Sequence, residues 1–266
     1  AINAGASSIY LSGKEYGARR FAENFTLNEI AEAVNTAHLH NVKVYVTVNT
    51  LIKEDELPDV MNYLSHLYSI GVDAVLVQDL GLVELINKHL PKLKVHGSTQ
   101  MTAENQLKLD YLESKGIKRI VLPREMRKDE IKNLKTNMEL EIFVHGALCY
   151  SYSGQCLMSS LLGGRSGNRG RCAQPCRLPY QVKNFRAKEN GKGEFCPLSL
   201  KDICTIEILP EIIEAGVTSL KIEGRMKQPA YTAGVTGMYR KYLDFLFEKG
   251  PANYHVTEKD KKYLLD

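Results

Sequence analysis

The stretch SIGVDAVLVQ, residues 69–78, combines the signals that decide the fold of this chain. It starts as the end of a helix, passes through Gly71, and continues as a strand rich in β-branched residues. A glycine or asparagine closes a helix in the left-handed conformation, and a nearly continuous Val, Ile and Leu run is typical of a buried parallel strand. The unit recurs, once with Asn41 in the glycine position, as NAGASSIYLS (3–12), HLHNVKVYVTVN (38–49), SKGIKRIVLP (114–123) and EAGVTSLKIE (214–223). Such repeats predict right-handed βαβ units.

The number of strands predicts the architecture. Helical segments lie between the strands, and the helix end at Ile2–Ala4 needs a strand before it. With that missing first strand the count is eight, so we expect an α/β fold of the (β/α)8 TIM-barrel type. An open doubly wound sheet is less favoured, because no Gly-rich dinucleotide-binding motif follows any strand. The seven visible strands are predicted at Ser8–Ser12, Val42–Asn49, Ala74–Gln78, Lys94–Ser98, Arg119–Pro123, Glu139–His145 and Ser219–Glu223.

The predicted barrel spans residues 1–250, and residues 251–266 are expected to begin a linker or a C-terminal module. More than 70 residues separate the seventh barrel strand, which ends at His145, from the next strand at Ser219. An ordinary barrel loop with its helix needs about 20–25 residues. We therefore predict a Cys-rich basic insertion at residues 147–205.

The bulk composition is that of an ordinary globular protein, with 44% hydrophobic and 25% charged residues. No apolar run approaches the roughly 18 residues of a membrane helix, so no membrane partner is expected. The net charge of +4 does not itself indicate a nucleic-acid partner. All six cysteines lie between residues 149 and 204, which is typical of a metal site in a reducing compartment and predicts a cytoplasmic protein. Because the first residue is Ala, we expect a segment upstream of it.

Polar and charged residues follow the predicted strands at their carboxyl ends, where barrel enzymes carry their chemistry. Together they predict a pocket for an anionic or hydrogen-bonding ligand. His145 and Arg225 are the strongest individual candidates for catalysis, although His145 could equally be a core histidine. The remaining catalytic candidates are Arg124, Glu125 and Glu223.

Four cysteines of the insertion have spacings that suit a metal cluster gathered from several loops. Cys149 and Cys156 are seven residues apart, Cys172 follows sixteen later, and Cys176 four after that. Structural zinc prefers two tight Cys-x(2–4)-Cys pairs, and only Cys172 and Cys176 resemble one. Soft thiolates without a nearby histidine favour iron–sulfur over zinc, although one or two cysteines could be ordinary buried thiols.

The insertion is also basic, with tyrosines and a phenylalanine interleaved among its cations. Proteins use cations with aromatic rings to bind looped or single-stranded RNA. The alternatives are a solubilising surface and arginines that neutralise an anionic cluster. The predicted RNA-binding residues are Arg165, Arg169, Arg171 and Arg177.

The segment EIFVHGALCYSYSGQCLMS, residues 141–159, resembles the defining motif of peptidase family U-32. In that motif a Glu and a Phe precede two cysteines. A glycine lies three residues before the first cysteine and two residues before the second. The resemblance continues outside the motif and covers essentially the whole chain. It includes NAGASSIYLSGKEYGARRFAENF (3–25), NRGRCAQPCRLPY (168–180), PLSLKDIC (197–204) and SLKIEGRMKQPAY (219–231).

Within this family the chain looks most like the Gram-positive-type proteins that hydroxylate the tRNA wobble uridine to 5-hydroxyuridine. The resemblance implies a 4Fe–4S cluster, tRNA as partner, prephenate as a small organic co-substrate and, as in one branch, a paralogous subunit. It also implies Cys149, Cys156 and Cys172 as cluster ligands. For the fourth ligand the resemblance implies Cys204, with Cys176 as the competing choice.

The residues and the resemblance leave three candidate functions for this chain. The first is an iron–sulfur-dependent RNA hydroxylase, and the third is an Fe–S binding subunit of a hydroxylase complex. The second, a collagenase-like peptidase, is disfavoured because the chain has neither a His-Glu-x-x-His motif nor a Gly-x-Ser-x-Gly elbow. A His145–Cys149 pair is conceivable as a peptidase base and nucleophile, but a cysteine bound to a cluster cannot attack a peptide.

Overall fold

A curled parallel sheet forms the framework of the computed structural model, which describes residues 1–180, 196–224 and 227–265. The strands are β1 (Ser8–Leu11), β2 (Lys43–Val48), β3 (Ala74–Val77), β4 (Lys94–Gly97), β5 (Arg119–Val121), β6 (Glu139–Gly146), β7 (Ile203–Cys204) and β8 (Ser219–Ile222). In the described part of the chain, seven of them run parallel in the order β1-β2-β3-β4-β5-β6-β8. The short β7 pairs antiparallel with the end of β6.

Helices alternate with the strands and cover the outer face of the sheet. Ile30, Leu64 and Ile86 from three of these helices share one core with outward-facing strand residues such as Val75. Within the described residues, no helix combines the length and the apolar character needed to cross a bilayer. The helices are α1 (Leu27–Leu39), α2 (Leu57–Ser69), α3 (Leu80–His89), α4 (Gln106–Ser114), α5 (Lys128–Lys132), α6 (Met158–Gly163), α7 (Leu209–Glu214), α8 (Pro229–Lys249) and α9 (Glu258–Leu265).

The junctions between helices and strands have the predicted left-handed backbone. Gly71, Gly116 and Gly216 have φ angles of 85°, 78° and 88°, and Asn41 has 56°. This conformation disfavours side chains with a Cβ, and asparagine tolerates it better than most residues. The repeated unit and the alternating α/β fold are therefore confirmed.

A groove separates the two ends of the sheet. In the described residues β1 pairs only with β2, and β8 pairs only with β6. The complete eight-stranded barrel that the strand count predicted is thus not present in this part of the chain, which forms a curled, open sheet. Closure needs one further strand between β8 and β1, because every strand of a barrel must pair on both edges.

The segment after α8 packs back onto the rest of the fold. In α9, Asp260 accepts a hydrogen bond from Tyr242 of α8 at 2.7 Å, and Leu264 is buried. Lys261 lies 2.8 Å from Glu207, next to α7. These contacts attach residues 251–265 to the body that carries the sheet.

Candidate functional site

The candidate site is a cavity of about 1410 Å³ that extends from the groove between β8 and β1 to the carboxyl ends of the strands. Arg124, Glu223 and Cys149 line it, together with Gln100 and Lys221. Parallel strands direct their carboxyl ends to one rim, which brings residues from distant parts of the chain together there. The structure thus unites two of the predicted catalytic residues, while Arg225 lies outside the described residues.

A buried charge cluster, formed by Arg119, Glu141 and Lys221, lies on the inner face of the sheet. The Glu141 side chain is only 1% exposed, and its carboxylate lies 3.1 Å from Arg119 Nη1 and 3.0 Å from Lys221 Nζ. Ser219 Oγ and the Tyr10 hydroxyl also donate hydrogen bonds to Glu141, at 2.7 and 3.1 Å. Four donors therefore satisfy one desolvated carboxylate.

The charge cluster was not among the residues predicted from sequence. Its signal was present, because Arg119, Glu141 and Lys221 are charged residues that each lie next to apolar residues within a predicted strand. Charged side chains are almost never fully buried unless they are paired. Charges of opposite sign in three predicted strands therefore indicate mutual pairing across the sheet.

Aromatic rings surround the charge cluster. Lys221 Nζ lies 3.4 Å from the centre of the Tyr10 ring, and Arg119 Cζ lies 5.1 Å from that of Tyr45. The His96 ring packs edge-on against Tyr45 at 4.6 Å. Burial, and then the charge of Arg119, lower the pKa of His96 to about 3, so this imidazole stays neutral at physiological pH.

Arg124 lies between the charge cluster and the rim of the cavity. Its guanidinium carbon stacks 3.8 Å from the centre of the Phe143 ring, and its Nε is buried without a hydrogen-bond partner among the described residues. Burial lowers the pKa of Arg124, whereas Glu223 and Cys149 act in the opposite direction. A guanidinium keeps its charge even when it is buried, so Arg124 offers a fixed positive charge to a ligand.

Two other catalytic candidates have structural contacts. Glu125 accepts hydrogen bonds from the backbone N–H and the hydroxyl of Ser153, at 3.1 and 3.0 Å, and so anchors the loop after Cys149. His145 is 2% exposed and packs against Tyr239 of α8, with a distance of 5.6 Å between the ring centres. Burial lowers the pKa of His145. This placement agrees with the alternative of a core histidine, and neither residue lines the cavity among the described residues.

Four cysteines of the insertion, Cys149, Cys156, Cys172 and Cys176, form what we call the cysteine group. Burial raises the pKa of the Cys176 thiol, and the neighbouring thiols of Cys149, Cys172 and Cys156 raise it further. Gly167 separates Cys172 from the backbone of Cys156, and an added Cβ there would lie within 4.0 Å of both. Among the described residues, no three His, Cys, Asp or Glu side chains already have a metal-binding arrangement. The thiols are neighbours whose side chains must still converge to share a metal.

Cys204 has different neighbours. It lies on β7 opposite His145. It is also close to Tyr239, whose pKa is raised first by the burial of its own hydroxyl and then by the Cys204 thiol. The structure therefore places Cys176 beside the other three thiols of the cysteine group, whereas Cys204 lies on the short strand that pairs with the end of β6.

The four predicted RNA-binding arginines differ in their surroundings. Arg169 forms a two-pronged ion pair with Glu56, at 2.7 Å for its Nη1, and also bonds to the Leu51 carbonyl. Arg177 donates to the carbonyl oxygens of Leu148 and Leu200 at 2.6 and 3.0 Å. Arg169 thus attaches the insertion to the segment between β2 and α2, and Arg177 ties two parts of the insertion to each other.

The other two arginines lie next to each other beside the exposed Phe21 ring. Arg165 stacks 4.3 Å from the centre of the exposed Phe21 ring and donates from Nε to the Arg171 carbonyl at 3.0 Å. Arg171 itself is exposed. Its side chain and the Phe21 ring are accordingly the parts of this patch that a phosphate and a base could reach.

The ion pair between Arg169 and Glu56 should act as a pH-sensitive clamp on the insertion. The hydrogen bonds from Arg169 lower the pKa of Glu56 to about 2, so its stabilisation is full above the ordinary glutamate pKa and is lost as the pH falls towards 2. A double-mutant cycle with Arg169→Met and Glu56→Gln, measured by urea unfolding, should give a coupling energy of about 1 kcal/mol at pH 7. An equal coupling at a pH of about 2 would contradict this assignment.

Comparison with known proteins shows the family of this chain and several of its relatives. The model of peptidase family U32 matches residues 1–266. The chain is 41% identical over 251 residues to the 23S rRNA 5-hydroxycytidine C2501 synthase of Escherichia coli, covering 94% of this chain and 38% of that protein. It is 38% identical over 266 residues to tRNA hydroxylation protein P1 of Bacillus subtilis, covering 97% of this chain and 63% of that protein. It therefore spans less than two thirds of either relative.

A solved structure supports the fold. The U32 peptidase Mk0906 superposes with a TM-score of 0.57 at 18% identity, covering 85% of this chain and 87% of that one. At this identity the likeness concerns only the course of the backbone. It agrees with the curled α/β sheet described above.

Proposed function

This chain belongs to peptidase family U32, and from that membership we propose that it is the core of an RNA-hydroxylating enzyme. The proposed substrate is the wobble uridine of tRNA, and the product is 5-hydroxyuridine. The observation that carries the proposal is the position of Cys149, which lines the cavity and also belongs to the cysteine group. A reactive group bound by these thiols would face a ligand in the cavity directly. The names of the rRNA and tRNA relatives support hydroxylation of RNA rather than cleavage of a peptide.

The proposed cofactor is a 4Fe–4S cluster. Cys149, Cys156 and Cys172 would hold it, and either Cys204 or Cys176 would be the fourth ligand. The donor set fits, because all of these cysteines are free thiols and soft thiolates are the ligands of such clusters. When bound, the cluster would supply electron transfer or a Lewis-acidic iron at the rim of the cavity.

The residues of the chain itself would bind and orient the substrates. Arg124 offers a fixed charge that would attract a small organic acid, for which prephenate is the proposed candidate. Phe143 shields one face of that guanidinium and so keeps water from it. Glu125 would act as a positioning residue, because it holds the loop that carries Cys149 and Ser153.

We also propose that a further parallel strand pairs with the free edges of β8 and β1, closes the groove from the side and completes a (β/α)8 barrel whose cavity opens at the carboxyl ends of the strands. Both flanking strands leave that edge without a strand partner among the described residues, and unpaired edges favour strand addition.

We propose a cytoplasmic location for the protein, because six free thiols suit a reducing compartment.

Arg171 should contribute to RNA affinity through a phosphate. Arg171→Ala should weaken tRNA binding several-fold and reduce the slope of log Kd against log salt by about one. Filter binding of tRNA at several salt concentrations would measure both. The matched control is Lys259→Ala on α9, another exposed cation, which should change neither value. Equal slopes in the wild type and in Arg171→Ala would count against an RNA contact there.

The function is tested by nucleoside analysis. The full-length protein is expressed without oxygen in a host that lacks its own wobble-uridine hydroxylases. The tRNA of that host is then digested, and its nucleosides are measured by mass spectrometry. Restored 5-hydroxyuridine would support the proposal. Its absence, with hydroxylated cytidine in rRNA instead, would redirect the substrate, and a need for a second purified subunit would favour the role of a binding subunit. Cleavage of gelatin without any RNA product would return the peptidase interpretation.

A further inference from the structure

We propose that Lys221 is a carbonyl-capturing residue, whose amine forms an imine with a small ketone or aldehyde that carries a carboxylate. The proposal concerns the cavity and Lys221, and it requires neither RNA nor a metal cluster. Its support comes from the position of this amine, its partners and the charge around it.

Lys221 has no purely structural reason to be a lysine. Glu141 already receives hydrogen bonds from Arg119, Ser219 and Tyr10. A second buried cation adds a desolvation penalty that its attraction to an already satisfied carboxylate repays poorly. Buried ionisable groups of this kind beside a cavity are candidates for function.

The Lys221 amine borders the cavity but is largely shielded from water. Lys221 lines the cavity, although its side chain is only 12% exposed. Burial lowers the pKa of Lys221, and Arg124 acts in the same direction, while Glu141 opposes both. Arg119 as well as Lys221 stabilises the Glu141 carboxylate, so the pKa of Glu141 stays below its ordinary value. At Lys221, by contrast, burial of the ammonium outweighs the attraction of Glu141. A lysine that is desolvated near another cation is a typical imine-forming nucleophile.

The proton has a place to go. Glu141 Oε1 lies 3.0 Å from Lys221 Nζ and takes the ammonium proton transiently, and the lowered pKa of Lys221 reduces the cost of that transfer. The free amine then attacks the carbonyl carbon, and the carbinolamine takes the proton back on its oxygen and loses water. The product is a protonated imine, with no oxidant or reductant consumed. The Tyr10 ring, 3.4 Å from Nζ, and the Glu141 carboxylate would stabilise that cation as they stabilise the ammonium.

The carboxylate of the ligand has a partner on the same aromatic ring. Arg124 Cζ lies 3.8 Å from the centre of Phe143, and Lys221 Nζ lies 5.4 Å from that centre. Both cations line the same cavity, so we place the carboxylate of the ligand at Arg124 and its carbonyl carbon at Lys221. Both positive groups face one cavity, so a 2-oxo acid fits them better than a neutral ketone.

The test is reductive trapping. The purified protein is incubated with sodium cyanoborohydride and either pyruvate or acetone, and the modified lysine is located by peptide mass spectrometry. We expect modification at Lys221, with pyruvate reacting about tenfold faster than acetone because of the charged contact with Arg124. Arg124→Met should remove this preference while acetone still modifies Lys221. Lys221→Arg, which keeps the positive charge and so the ion pair, should abolish the modification and leave the thermal midpoint within a few degrees.

The opposing result is equally clear. Modification spread over exposed lysines such as Lys259, with Lys221 no faster than they are, would make Lys221 a purely structural residue. Pyruvate and acetone reacting equally at Lys221 would remove the part assigned to Arg124. Neither result depends on tRNA or iron, so a failure here is distinguishable from a failure of the proposed hydroxylation.

Discussion

Replacing Glu141 with Gln should destabilise the protein by about 3–5 kcal/mol, because it leaves Arg119 and Lys221 buried without their shared counter-charge. The amide can still accept from Ser219, so the loss comes mainly from charge rather than from shape. The free energy of unfolding in urea at pH 7 measures it. A loss of this size is a large fraction of the stability of an ordinary domain.

Glu139→Gln is the matched control for this prediction. Glu139 contacts the same Arg119 guanidinium, but its side chain is 53% exposed. An exposed ion pair contributes less than about 1 kcal/mol, so this variant should unfold near the wild-type midpoint. Equal losses in the two variants would show that the buried position of Glu141 carries no special weight.

The same carboxylate predicts how stability depends on pH. Burial alone would raise the pKa of Glu141, but the Lys221 ammonium, the Ser219 hydroxyl and the Arg119 guanidinium hold it below the ordinary value. A lowered folded-state pKa gives stability that is full above the unfolded pKa and is lost as the pH falls below it. The wild type should therefore lose stability steeply under acid conditions, and Glu141→Gln should lose less over the same range.

Replacing Cys172 with Ala should remove nearly all cluster iron from the anaerobically purified full-length protein. A 4Fe–4S cluster needs its thiolates, and Cys172 belongs to the ligand set under either assignment of the fourth cysteine. Iron and acid-labile sulfide, measured per chain together with the visible absorption of the cluster, provide the readout. A wild-type protein with stoichiometric zinc and no sulfide would overturn the cofactor proposal itself.

The fourth ligand is decided by a matched pair of variants. The family resemblance favours Cys204, whereas the proximity of Cys176 to the other three thiols favours Cys176. Iron lost in Cys176→Ala and retained in Cys204→Ala would assign Cys176, and the reverse would assign Cys204. Cys196→Ala should keep its iron in either case and controls for a general effect of removing a cysteine.

Local patterns in the sequence were sufficient for the elements of this fold. The helix ends at Asn41 and Gly71 have the expected left-handed backbone, because that conformation depends on a single residue and its neighbours. The β-branched strands form the buried sheet, since hydrophobic period and length are properties of short segments. The family motif at residues 141–159 likewise identifies the family and two of the cysteines, because it is one contiguous run of residues.

Contacts between distant segments could be decided only by the tertiary structure. Arg119, Glu141 and Lys221 lie on three strands and meet only because the sheet curls and pairs β6 with β8. Arg169 was expected at an RNA surface, but the fold brings Glu56 to it from 113 positions away in the chain. His145 lies near the end of β6, close to where its sequence position indicated, yet the packing of α8 puts its ring against Tyr239. Sequence periodicity reports which face of an element is buried, whereas the partner on that face depends on the long-range path of the chain.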